Sequence, residues 1–235
     1  MKKLILIAIT AILLVSCGGK KRDNGAAKEG YSTMLSDSIA SAQNEIDSCE
    51  SAIERLNELT SKSLESFTTV ANPREVGSYM IYTPFKSKYP LTGTGIIARI
   101  NDTGQYELIA SLSKGNFDQI EVIVGNRSLR SKIVPNDQAL NYRTASLTTV
   151  SFTGAETDSI GSAIATGGGD EIIIKYLNNR SVGTWKVPAE YREMLTKTWE
   201  LYESSSGANR LERRTMMLHE KIKILRQHRD GRDSI

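Results

Sequence analysis

The sequence predicts an α+β protein: an antiparallel two-helix coiled-coil stalk, built from one helix near each end of the chain, with an antiparallel β-sandwich or barrel-like head inserted between them. Three observations predict it. Residues 31–71 and residues 188–230 each place apolar side chains on a seven-residue repeat, whereas residues 72–187 carry short β-rich runs divided by Gly, Asn and Asp. The apolar share of 39% lies below the roughly 45–50% of an average globular domain, which suits long exposed helices better than one large core.

In the first helical region Ile39, Ile46, Ile53 and Phe67 recur every seven residues with Thr60 filling the series, and Leu35, Ala42, Cys49 and Leu56 form a second series. Together they make an a/d seam. It ends near Asn72-Pro73, because proline stops a helix. The second helix opens at Pro188, a residue suited to a first turn. Met194, Leu201, Ala208, Thr215 and Ile222 form one of its series, and Leu211, Leu218 and Leu225 the other. Ser204-Ser205-Ser206-Gly207 interrupts the pattern and reads as a kink or a break. Asp230-Gly231 ends it, leaving residues 231–235 as a tail.

The charges on the two helices are complementary. Asp47, Glu50, Glu54, Glu58 and Glu65 dominate the first, whereas Arg210, Arg213, Arg214, Lys221, Lys223, Arg226 and Arg229 dominate the end of the second. Opposite charges beside an a/d seam select the partner, so the expected pairing is intramolecular and antiparallel. The rival is a parallel homodimer through the first helix, with two Cys49 side chains facing at a d layer. Acidic flanks would repel one another there, so a monomer is the expectation.

The head region carries its own pairing signals. Residues 95–100 and 105–112 flank the turn Asn101-Asp102-Thr103-Gly104, and residues 120–124 and 129–134 flank Gly125-Asn126. Residues 147–152 form a further strand, and 172–177 pairs with 181–187 across Asn178-Asn179-Arg180. A brief helix over 158–165 ends at Gly167-Gly168-Gly169.

The chain opens Met1-Lys2-Lys3, continues almost wholly apolar from Leu4 to Val15, and then reaches Ser16 and Cys17. That is the order of an export signal. The apolar run has about a dozen residues against the roughly 20 that a spanning helix needs. Leu14-Val15-Ser16-Cys17 resembles a bacterial lipobox. The resemblance implies removal of residues 1–16, a diacylglyceryl group on the Cys17 sulfur, and a lipid-anchored place in the bacterial cell envelope. Gly18 stands where an acidic residue retains some lipoproteins at the inner membrane, which implies the outer membrane. The rest of the chain is similar only to uncharacterised bacterial lipoproteins, from which no functional residue carries over. Residues 17–30, rich in Gly, Ala and Lys, read as a tether. Lys20, Lys21 and Arg22 would meet Arg226, Arg229 and Arg232 at the membrane end. Such cations add about 1 kcal/mol each near an anionic surface, or simply suit the C-terminal helix dipole.

Chemistry is sparse. A net charge of +3 is too small to point to nucleic acid. The two histidines, His219 and His228, are nine residues apart and lack the four-residue spacing of a zincin pair, so no metal ligand set or cofactor is expected. Gly93-Thr94-Gly95 opens a strand rather than a helix, which removes the dinucleotide reading. An envelope hydrolase would need two of the acids Glu107, Asp118, Glu121 and Asp170 within about 5–10 Å. The best-localised cluster is aromatic and basic: Tyr79, Tyr82, Phe85, Lys86, Lys88 and Tyr89. It is a candidate surface for a glycan or an envelope protein partner, or the packing that seats the head on the stalk. The expected function is a non-enzymatic interaction or structural module, with a glycan-binding lipoprotein and a hydrolase as alternatives.

Overall fold

The structure, a computed structural model, describes residues 24–72, 75, 77–135 and 141–232. The lipobox, Cys17 and the final three residues lie outside the described residues. The element order is α1 (Asn24–Leu64), β1 (Phe67–Ala71), β2 (Ser78–Tyr82), a 3-10 turn (Thr83–Lys88), β3 (Gly95–Asn101), β4 (Tyr106–Ser113), β5 (Gln119–Val124), β6 (Arg127–Arg130), β7 (Asn141–Arg143), β8 (Leu147–Phe152), α2 (Ala155–Thr166), β9 (Ile172–Asn178), β10 (Arg180–Lys186) and α3 (Ala189–Arg232). The protein is therefore α+β, with long terminal helices around two antiparallel sheets.

Both boundaries of the first helix differ from the sequence reading. The helix starts at Asn24, inside the expected tether, because Ala26, Ala27, Lys28 and Glu29 are strong helix formers that outweigh the flanking glycines. It stops at Leu64 rather than 71. Thr68, Thr69 and Val70 are β-branched and prefer the extended backbone, and Phe67–Ala71 pairs with β2 from Phe67↔Tyr82 to Ala71↔Ser78.

Burial along α1 follows the predicted spacing of three and four. Leu35, Ala42, Ile46 and Cys49 are buried, and Ile39, Ile53, Leu56 and Thr60 are half-buried, while the residues between them are mostly exposed. In α3 the buried series runs Leu201, Ser204, Ala208, Thr215, Leu218 and Ile222. The two helices lie against each other in opposite directions. Thr60 Oγ1 donates to Ser204 Oγ at 2.9 Å, Glu45 pairs with Arg214 at 2.7 Å, and Ala42 and Ile46 pack with Leu218 and Ile222. Fully burying an Ile or Leu contributes about 1.5–3 kcal/mol, so this thin seam rests on a few side chains.

Helix α3 is unbroken across Ser204–Gly207. The hydroxyls of Ser204, Ser205 and Ser206 each donate to the carbonyl three residues back, on Leu201, Tyr202 and Glu203. The serines thus satisfy themselves within the helix instead of ending it. A side chain at Gly207 would come within 3.3 Å of Leu56 Cδ1, so its bareness lets the helices approach.

In the head, one sheet has the order β1-β2-β3-β4-β8-β7 and the other β10-β9-β5-β6. The three predicted hairpins form: Gly95↔Ser111 through Ile100↔Tyr106, Glu121↔Arg130 through Val124↔Arg127, and Arg180↔Asn178 through Lys186↔Ile173. Strand β6 is shorter and earlier than the predicted 129–134. Strands β5 and β8 alternate, and Ile120, Val122, Val124, Val150 and Phe152 enter one core with Ile172, Ile174 and Tyr176 of β9. Strands β3 and β4 are buried on both faces. The first turns of α3 cap that core, with Ala98 N donating to Met194 Sδ at 3.2 Å. The short helix α2 wedges in beside them. Its Gly161 leaves room for Trp199 and Tyr106, whose rings meet edge-on at 5.2 Å.

Candidate functional site

Two places in the head carry chemistry. The first contains the predicted aromatic and basic residues and divides them between two tasks. Tyr79 lies in β2 and Tyr89 just after the 3-10 turn, and both turn toward Arg99 of β3. Arg99 is 3% exposed. Its Nε donates to Glu107 at 2.7 Å, and its Nη1 donates to the Tyr89 hydroxyl at 2.6 Å and pairs with Glu75 at 2.6 Å. The Tyr79 ring lies 3.5 Å from the guanidinium carbon. Register explains the arrangement: Arg99 stands directly opposite Glu107, and Tyr79 opposite Asn101. Asn101 Nδ2 also donates to Glu107 at 2.8 Å. Burial, aided by a hydrogen bond to Glu75, pushes the Tyr79 phenol up to about 12. The network is closed on itself, and a buried charge so enclosed is a structural keystone whose loss strands its partners.

Tyr82, Phe85 and Lys88 instead face the first turns of α3. The Tyr82 hydroxyl donates to Glu193 at 2.9 Å, and its ring meets Phe67 at 5.7 Å. Phe85 is buried and packs edge-on against Tyr191 at 4.9 Å. Lys88 Nζ sits over both rings and pairs with Glu190 at 2.7 Å. Only Lys86 points fully to solvent. The cluster therefore binds the β2–β3 connection to α3, with its largest rings turned inward.

The second place is a groove on the outer face of the four-stranded sheet, which brings together two of the four acids considered for a hydrolase, Asp118 and Glu121. Its lining includes Asp118, Glu121, Arg130, Lys175 and Arg180, and its floor includes Leu177. Cross-strand register aligns Arg130, Glu121 and Lys175 in one row. Glu121 accepts from Ser128 Oγ at 2.6 Å and lies 3.4 Å from Lys175 and 3.5 Å from Arg130. The Ser128 hydrogen bond, followed by these cations, holds its carboxyl below the usual carboxylate range. A general acid needs the opposite shift, so Glu121 is suited to stay an anion. The available signal was the alternation in QIEVIV and IIIKYLN, which sends Glu121 and Lys175 to the same outer face.

The remaining acids are apart in role. Glu107 belongs to the Arg99 network, and the Asp170 carbonyl accepts from Arg192. Among the described residues no group of three or more His, Cys, Asp or Glu could hold a metal ion, and no helix is long and apolar enough to cross a membrane. His219 and His228 are exposed on α3, and Cys49 is a free buried thiol in the helix seam. No protein-family model matches the chain, and neither a curated protein nor a solved structure does.

Proposed function

We propose that this chain is a lipid-anchored protein of the bacterial cell envelope, held through Cys17, that presents a β-sandwich head on an antiparallel coiled-coil stalk as a non-enzymatic interaction or structural module. The observation that carries it is the opposed direction of α1 and α3. Because Glu45 meets Arg214 while Thr60 meets Ser204, the start of α1 and the end of α3 share one tip and the head occupies the other. The spacing of three and four in both buried seams supports a coiled coil, and the single core shared by the two sheets supports a sandwich.

The geometry suits an anchor. Six residues separate Cys17 from Asn24, and a chain that short reaches no more than about 25 Å. From Ser204 to Arg232, beyond the turns that touch the head, α3 is about 42 Å long at 1.5 Å per residue. One acyl chain holds a protein weakly and two or more hold it firmly, so a diacylated Cys17 would keep the stalk tip at the bilayer.

The glycan reading gains nothing from the aromatic cluster, whose Tyr79 and Phe85 are buried. The experiment is replacement of Cys17 by Ala: the variant should leave the membrane fraction and take up no labelled palmitate. Palmitate incorporation that persists in the variant would overturn the assignment.

A further inference from the structure

Helix α3 carries a second apolar stripe, on the side turned away from α1. Met216, Met217 and Ile224 are 68%, 67% and 51% exposed, and with Glu220, Lys221 and Leu225 they line a shallow groove along the helix. Met217 and Ile224 are one heptad apart, so they form a continuous line, whereas the neighbouring Thr215, Leu218 and Ile222 are buried toward α1. Over the same length of helix the charge is one-sided. Between residues 209 and 231 the cations Arg210, Arg213, Arg214, Lys221, Lys223, Arg226 and Arg229 face only Glu212, Glu220 and Asp230. Arg213, Lys221 and Arg226 make no ion pair among the described residues. Helix α1 has the reverse balance, with seven acids against Lys28, Arg55 and Lys62. The rod is thus cationic and apolar on one flank and acidic on the other.

We propose that the outer flank of α3 is a lipid-facing surface, which seats Met216, Met217 and Ile224 among the headgroups of an anionic bilayer and so inclines the stalk against the membrane instead of standing it on its tip. This rests on the lipid anchor proposed above. An apolar strip bordered by Lys and Arg is the pattern of an interfacial helix, and a tip tethered to the same bilayer supplies the proximity. A second copy of the chain is the poorer occupant. A two-fold contact would set α3 against α3 and press like charges of Arg213 and Lys221 together, while the exposed apolar residues of α1, such as Met34 and Leu59, stand far apart with Ser41, Asn44, Ser48 and Ser51 between them.

Methionine oxidation tests it, because Met34 on α1 is as exposed as Met216 and Met217. The lipidated full chain would be reconstituted into vesicles of phosphatidylcholine, with or without phosphatidylglycerol, and treated with peroxide; sulfoxide would then be followed by mass spectrometry. Met216 and Met217 should oxidise several-fold more slowly than Met34 on the anionic vesicles only. High salt, or Arg213→Glu with Lys221→Glu, should abolish the difference. Equal oxidation of all three on anionic vesicles would overturn the proposal, as would protection in detergent that grows with protein concentration, which identifies a second copy. A chain that fails to float with neutral vesicles instead refutes the anchor, so the two failures are distinguishable.

Discussion

The head and the stalk solve the same problem with different margins. In the head, two sheets, α2 and the first turns of α3 surround a core in which Ile96, Leu108, Ile120, Ile160 and Ile174 are fully buried, and a closed ionic network secures the β3–β4 hairpin. Where α1 and α3 lie together, the buried and half-buried positions between them include several small or polar residues: Ala42, Cys49, Thr60, Ser204, Ala208 and Thr215. Helix α3 therefore has two jobs along its length. Its N-terminal turns are a wall of the head, and its remainder packs lengthwise against α1.

The comparison predicts a graded response. Arg99→Leu should do the most damage, since it leaves Glu75 and Glu107 without their cation in a buried setting, at a cost of about 3–5 kcal/mol. Near-UV dichroism and urea unfolding would register it as loss of the head. Ile46→Ala removes a side chain that is 1% exposed and should cost about 2 kcal/mol, the low end of such truncations, because water can enter a thin seam. It should loosen the stalk while Trp185 and Trp199 fluorescence stays native; simultaneous loss of both signals would break the distinction between the two regions.

Smaller perturbations sharpen it. Gly161→Ala would set a carbon 2.4 Å from Trp199 Cε3 and should cost about 1–3 kcal/mol by overpacking, read as a lower melting temperature with the stalk intact. Exchanging Glu45 and Arg214 for each other's residue should change stability by less than about 1 kcal/mol, since the pair is half-exposed, whereas reversing Glu45 alone should cost more at low salt than at high. The mildest effect is pH-linked. Glu121 has a depressed pKa in the folded state, so its contribution is complete above the ordinary carboxylate range and is lost as pH falls through the lower folded value. Wild type should therefore lose more stability than Glu121→Gln on acidification from neutral pH, measured by urea midpoints.

How much of this is legible from residues alone follows the same division. The stalk seam was readable because a helix repeats its buried face locally, and Leu35 to Thr60 fall buried or half-buried as that repeat requires. Hairpins with short Asn- or Gly-bearing turns were readable too. Strand β1 was not, because Phe67 continues the heptad phase and hides the change from helix to strand. Strand β7 has three residues, too few for a pattern. The Arg99–Glu107 pairing depends on hairpin register, and the partnership with Glu75 and Tyr89 on how the β1–β2 and β2–β3 connections return over the sheet. Tyr79 and Tyr82 stood out as a candidate surface for a glycan or partner, but the residues they meet lie in β3 and α3, far along the chain.

Helices α1 and α3 run in opposite directions within one molecule, which brings the start of α1 and the end of α3 to one tip. Spin labels at Glu45 and Arg214, with Cys49 replaced by Ala, test it by pulsed dipolar spectroscopy. The separation should be short and independent of concentration, set by helix axes about 8–10 Å apart plus the label tethers. A separation comparable to the length of the stalk, or a short distance that appears only between labelled copies, would contradict it.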